Sequence, residues 1–182
     1  MATETLPCSK IPTVELGELG AQHTREPSQQ EWERVSSQLE QALSENGYAY
    51  LTQHGMPDDV VNSALSAGAD FFQLGEEEKR SWSTGEGFTG YLKNDEENYT
   101  SGSHDQKETF LFRPGDYSSL KKEPPPFKTA LTPFYNLIQT LNTRLMTSLS
   151  LTLGKGQELG KRVLVCSTRR LKLTLLTYRR LT

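Results

Sequence analysis

The chain has 182 residues, room for one ordinary domain or for a fragment of a larger one. Leu, Ile, Val and Phe make up about 22% of it, just above the composition of disordered chains, so a thin core is expected. The formal net charge of −3 hides an asymmetry, because residues 161–182 hold seven basic residues and no acid. No run approaches roughly 18 apolar residues, and Met1 to Pro7 lacks a basic flank followed by an apolar core. Neither a membrane span nor a signal peptide is expected, and the expected location is cytoplasmic. Cys8 and Cys166 stand alone, which excludes a disulfide framework and a thiolate zinc site as organising principles.

Ile11-Pro12-Thr13-Val14-Glu15-Leu16 reads as a short strand: Val14 and Leu16 share a pleat face, and Pro12 confines the segment to an edge or a strand start. Ser28 precedes Glu31 by three residues, a capping box, and Trp32, Val35, Leu39, Ala42 and Leu43 then keep the 3.6-residue period until Gly47. This spacing predicts a helix. Tyr48-Ala49-Tyr50-Leu51 reads as a buried strand, and Gln53-His54-Gly55 as the turn after it. Pro57-Asp58-Asp59 forms the first turn of a second helix, with the acids at the positive end of the dipole and Val61, Ala64, Leu65, Gly68 and Phe72 on its apolar face. Glu76 to Arg80 is a short charged helical turn.

Gly85, Gly87, Gly90 and Gly102 among polar residues make 83–104 a long loop. Glu108 to Phe112 is a strand, closed by Arg113-Pro114-Gly115-Asp116, and Pro124-Pro125-Pro126 is a stiff connector. Thr132 as cap and Pro133 at the first helical position open a third helix, whose stripe of Phe134, Leu137, Ile138, Leu141, Leu145 and Leu149 ends near Gly154. Val163 and Val165, then Leu171, Leu173 and Leu175, alternate with basic or polar residues as strands do.

A facial iron triad wants a His and a carboxylate two residues apart on a strand, because a period of two turns both side chains to one face, plus a second His. Two residues after His23 stands Arg25, after His54 stands Met56, and after His104 stands Gln106, so the chain offers no such set. His104 and Asp105 are neighbours and on a strand would face opposite ways, while His54, in a turn, suits a structural bond to backbone. Glu76, Glu77 and Glu78 form a solvated helix start. Arg34-Val35-Ser36 has an Arg-x-Ser spacing suited to gripping a dicarboxylate, but it lies on the first helix rather than on a strand. Neither a phosphate-cradling loop nor a nucleophile elbow occurs. No catalytic or metal-binding residue is assigned.

The order of the pieces is more telling than any one of them. Ile11-Pro-x-Val14-x-Leu16, Gly47-Tyr-x-Tyr-Leu-x-x-His54-Gly-Met-Pro57, Phe71-Phe-x-Leu74-x-x-Glu77-Glu-Lys79, Gly90-Tyr91 and Asp105-x-Lys107-Glu108-x-Phe110 follow one another over residues 11–112. This succession resembles the N-terminal region of non-haem Fe(II)/2-oxoglutarate-dependent dioxygenases, the isopenicillin-N-synthase-like family, and the third helix continues the likeness to about residue 154. The resemblance implies an α+β fold, with N-terminal helices and strands flanking an incomplete double-stranded β-helix, or jelly roll. It divides the chain into an N-terminal region (1–120), a connector with a long helix (121–160), and the start of a truncated jelly-roll domain or an aberrant basic tail (161–182).

The family's iron ligands and its 2-oxoglutarate-binding Arg-x-Ser lie further along than this sequence extends. Leu171 to Tyr178 looks like the strand that runs up to the His-x-Asp, but Arg179-Arg180-Leu181-Thr182 follows. Fe(II) and 2-oxoglutarate are therefore expected for a complete family member and not in this chain. The resemblance supplies one candidate substrate-binding residue, Tyr91, which matches a part that reaches the substrate pocket in some relatives, although packing is the preferred reading of it over substrate contact. Asp105, Lys107, Glu108 and Phe110 match a structural strand at the pocket edge.

Two functions compete. One is the leading part of an oxidoreductase of this family that acts, when complete, on a small organic molecule and is inactive alone. The other is a non-catalytic binding module whose basic C-terminal tail meets nucleic acid or an acidic partner. Leucines alternating with the basic residues, and the lack of an aromatic platform, speak against nucleic acid. The first reading also predicts an unfinished sheet with an exposed, association-prone strand edge.

Overall fold

The computed structural model describes residues 11–83, 90–92, 107–112, 128–156 and 173–178. They fall into two units. One takes the chain up to Met56 and again from Leu137 to Gly156, the other runs from Pro57 to Asn136 and includes 173–178.

In the first unit, strand β1 (Thr13–Glu15) pairs in parallel with β2 (Tyr50–Thr52), Val14 opposite Leu51. A 3-10 turn at Gly17–Leu19 follows β1, and helix α1 spans Gln29–Asn46. Ser28 caps α1 as expected, its Oγ accepting from the Glu31 N–H at 3.3 Å, and Gly47 closes it in the left-handed region (φ 79°) with its N–H on the Leu43 carbonyl. The reciprocal half of the capping box comes from elsewhere. Glu18 Oε2 accepts the Ser28 N–H at 2.8 Å, leaving Glu31 to bind Arg34.

Trp32, Val35, Leu39 and Ala42 of α1 bury against Val14, Leu16, Leu19 and Leu141. Each such aliphatic side chain contributes about 1.5–3 kcal/mol on burial. Two expectations shift here. Leu43 is exposed, and β2 is not buried: Tyr48 and Tyr50 are 58% and 61% exposed. A two-stranded sheet covered on one face sends alternate residues outward, so only Ala49 and Leu51 turn to the core.

The second unit holds α2 (Asp58–Gln73), α3 (Glu76–Arg80), β3 (Gly90–Leu92), β4 (Lys107–Phe112) and β5 (Leu173–Tyr178), with the strands forming an antiparallel sheet in the order β3-β4-β5. Pro57 is the extended N-cap of α2 rather than its first helical residue. The inward face of α2 is Ala64, Gly68 and Phe71, one step from the stripe expected, and Leu65 is 63% exposed. Strand β3 lies inside the stretch read as loop. Its three residues are too few to show a period among glycines and polar residues. The predicted strand at 163–165, the proline connector, His104, Cys8 and Cys166 lie outside the described residues.

Helix α4 (Lys128–Thr152) runs from the second unit into the first. It begins four residues before the predicted cap. Thr132 does not cap; its Oγ1 donates back to the Lys128 carbonyl at 2.8 Å. Pro133 sits inside the helix but near its start, where the missing N–H deletes a single bond, to Thr129. Further along, Arg144 donates through Nη1 to the Gly20 carbonyl and through Nη2 to those of His23 and Arg25, tying α4 to the segment after the 3-10 turn. Burial pushes the Arg144 pKa down, and Glu26 partly offsets this. The described residues thus form a mixed helix-and-strand fold with one small antiparallel sheet and one parallel pair.

Candidate functional site

Three of the five motif segments converge in the second unit. Tyr91 on β3 lies opposite Phe110 on β4, and Glu108, two residues before Phe110, shares that face and sits diagonally within reach of the Tyr91 hydroxyl. Tyr91 donates to Glu108 Oε1. Lys79, at the end of α3, donates to the same oxygen at 2.6 Å and to the Phe72 carbonyl at 3.3 Å, and its Nζ lies 5.6 Å from the Tyr91 ring centroid.

Trp82 and Ser83 fix β3 from the other side. The Tyr91 N–H donates to the Trp82 carbonyl at 3.1 Å, and Ser83 Oγ donates to the Tyr91 carbonyl at 3.0 Å. Lys79, Glu108 and Tyr91 are all buried, and the aromatic cluster of Phe71, Trp82 and Phe110 encloses Tyr91. Burying an ion pair costs several kcal/mol in lost hydration. Such a pair persists only when its remaining hydrogen bonds are met, as the Tyr91 hydroxyl and the Phe72 carbonyl help to do here.

The ion pair ties α3 to β4, and the Tyr91 hydroxyl ties β3 to the same carboxylate. Tyr91, the candidate substrate-binding residue, is wholly buried with its hydroxyl on Glu108. Sequence spacing held no hint of the ion pair, since its partners are 29 positions apart.

The other two motif segments meet in the first unit at the β1–β2 pair and the turn after it. His54 Nδ1 accepts the Met56 N–H at 3.1 Å, the structural bond expected of it. Gly55 has φ 69°, and a Cβ there would lie 2.7 Å from the Gln22 backbone nitrogen, so the His-Gly turn admits no side chain at this position. Glu76 pairs with Arg80 at 2.7 Å on the surface, as a solvated helix start would. Among the described residues no group of three or more His, Cys, Asp or Glu is gathered to hold a metal. A cavity of about 440 Å³ between α2 and the first turn of α4 is lined by Ser63, Ala67, Asp70, Phe71, Leu74, Thr129 and Ala130.

The guanidinium of Arg34 is committed as well. It binds Glu31 through two nitrogens at 2.7 and 2.8 Å, and it also donates to the Glu15 carbonyl at 3.1 Å and to Gln38 at 3.2 Å. The hydrogen bond from Arg34 is the chief cause holding the Glu31 carboxyl below its usual range, opposed by partial burial and aided by the Glu18 N–H and the Arg34 charge. Because the folded pKa is depressed, this contribution to stability is present at neutral pH and is lost as pH falls through the carboxylate range. Glu31→Gln is expected to flatten that acid limb of the stability profile by less than about 1 kcal/mol, read from urea midpoints between pH 7 and pH 3.

Residues 11–130 match the family described as the N-terminal region of non-haem dioxygenases in morphine synthesis. Among curated proteins, a leucoanthocyanidin dioxygenase of Perilla frutescens is 23% identical over 163 residues, covering 84% of this chain and 42% of that protein. A homoarginine-6-hydroxylase of Glycine max is 28% identical over 148 residues, covering 69% and 44%. The chain thus spans less than half the length of these relatives.

Among solved structures, a 2OG-Fe(II) oxygenase family protein of Caulobacter crescentus superposes with a TM-score of 0.63 at 18% identity, over 83% of this chain and 51% of that one. A dioxygenase for auxin oxidation from rice gives a TM-score of 0.58 at 18% identity, over 80% and 46%. At these identities the likeness is one of fold.

Proposed function

The chain belongs, over residues 11–130, to the family of non-haem dioxygenase N-terminal regions, and from that premise we propose that it forms the N-terminal part of an Fe(II)- and 2-oxoglutarate-dependent oxidoreductase acting on a small organic molecule. The observation that carries this reading is the family match itself, supported by the way the five motifs build the β1–β2 turn and the Lys79–Glu108–Tyr91 knot. Six-residue pairing of β5 on β4, from Lys107 opposite Tyr178 to Phe112 opposite Leu173, supports residues 161–182 as the start of a jelly roll. In this reading 1–120 is the N-terminal region and 121–160 the connector and long helix. The same pairing makes part of the basic stretch a sheet strand, which speaks for this reading over a nucleic-acid-binding tail. In this reading Tyr91, the candidate substrate-binding residue, serves rather to pack β3 against β4.

This chain's own residues do not fit the iron. No His in the sequence stands two positions before an acid, and His54 Nδ1 is committed to backbone. No chemical step is assigned to them, and the chain alone is inactive in this reading. Anaerobic titration of the 182-residue chain with Fe(II) is expected to show no stoichiometric binding enhanced by 2-oxoglutarate; such binding would overturn the assignment of the ligands to other sequence. The coding sequence beyond residue 182 is expected to encode a His-x-Asp, in this frame or another.

A further inference from the structure

Within the first unit, α1 and the C-terminal turn of α4 enclose a groove of about 330 Å³, lined on α1 by Gln29, Glu33, Ser36 and Glu40 and on α4 by Leu151 and Thr152. The four α1 residues follow one another at intervals of four, three and four, so the helix presents them in one row. The volume is within the range of small-ligand pockets.

Ser36 is 5% exposed, and its Oγ is buried with no hydrogen-bond partner among the described residues. A hydroxyl inside a helix commonly donates back to the carbonyl four residues earlier, as Thr132, Thr143 and Thr147 do on α4. Ser36 makes no such bond, which leaves a buried polar atom in the groove wall to be met by a ligand. The carboxylates on either side of it are uncompensated as well. Glu33 Oε1 accepts from Gln29 Nε2 at 2.8 Å, but among the described residues neither Glu33 nor Glu40 has an ion-pair partner. The last turn of α4 contains no basic residue, so the partial negative charge at that helix end adds to theirs.

A single metal ion does not suit this set. Glu33 and Glu40 are seven residues apart, about 10 Å along the helix axis, and no group of three or more metal-ligating side chains is gathered among the described residues. One lysine or arginine side chain brings one charge and cannot meet both carboxylates. The row calls for a linear cation charged at both ends, with an N–H between them for the hydroxyl.

We propose that this groove binds a linear aliphatic polyamine. Its terminal ammonium groups pair with Glu33 and Glu40, an internal ammonium donates to Ser36 Oγ, and its methylenes lie along Leu151. The inference does not depend on the oxygenase reading.

Isothermal titration of the 182-residue chain with spermidine at low salt is expected to show one site. Glu33→Gln and Glu40→Gln should each weaken it about tenfold by removing a charge-assisted contact, and Ser36→Ala about fivefold with no change of charge. Putrescine, with its two charges closer together and no internal ammonium, should bind more weakly than spermidine. Glu77→Gln removes the same charge at an exposed position on α3 and should leave the affinity as it was. Circular dichroism checks that every variant is folded. Absence of spermidine binding overturns the proposal, as does unchanged affinity in Ser36→Ala. A loss in Glu77→Gln equal to that in Glu33→Gln and Glu40→Gln overturns it too, since that is diffuse attraction to an acidic chain.

Discussion

Lys79→Met is expected to lower the unfolding free energy by about 3–5 kcal/mol, because it removes the cation that pairs with the buried Glu108 carboxylate. The side chains of Lys79 and Glu108 are only 6% and 7% exposed, so solvent cannot take over the lost interaction. Glu108→Leu alone should cost a comparable amount, since it strands the ammonium and leaves the Tyr91 hydroxyl without this acceptor. The triple change Lys79→Met, Glu108→Leu, Tyr91→Phe removes both charges and the hydroxyl together, and most of the loss should be recovered. Equilibrium urea unfolding of the single, double and triple variants gives the coupling directly. A Lys79→Met cost below about 1 kcal/mol would mean that the pair behaves like a solvated surface bridge.

What the sequence disclosed and what it hid follow from the range of the interactions involved. Helix α1 was legible because its cap, its period and its closing glycine are all local: Ser28, Trp32 to Ala42, and Gly47 each act within a few residues of one another. The errors fall where a neighbour distant in sequence decides. Tyr48 and Tyr50 have the composition of a buried strand but lie on the outer face of a two-stranded pair. Thr132-Pro133 has the form of a helix start, yet α4 begins earlier.

The buried ion pair was the least legible feature, since Lys79 sits in a run of charges that reads as solvated and its partner is on a strand 29 positions further along. Its motif residues entered only through resemblance. In the structure Gly55 is fixed by backbone proximity, and Lys79 and Glu108 hold each other. Residues whose contacts are structural can therefore carry a family likeness.

Phe71→Ala is expected to cost about 3–5 kcal/mol, toward the upper end of that range. Phe71 is 2% exposed and meets four rings edge-on: Phe110 with centroids 4.9 Å apart, Phe72 at 5.3 Å, Trp82 at 5.7 Å and Tyr91 at 6.1 Å. Pairs of this geometry add about 0.5–1.5 kcal/mol each beyond the area they bury. The rings come from α2, the turn after α3, β3 and β4, so truncation opens a void that no single element can move to fill. It would also widen the cavity beside α2, of which Phe71 is already a wall.

Leu65→Ala provides the control within the same helix, because that side chain is 63% exposed and its removal should change stability by less than about 0.5 kcal/mol. Urea unfolding of the two variants side by side separates a packing effect from a general loss of helix. Should Phe71→Ala cost no more than Leu65→Ala, the aromatic cluster would not be the core that holds α2 to the sheet.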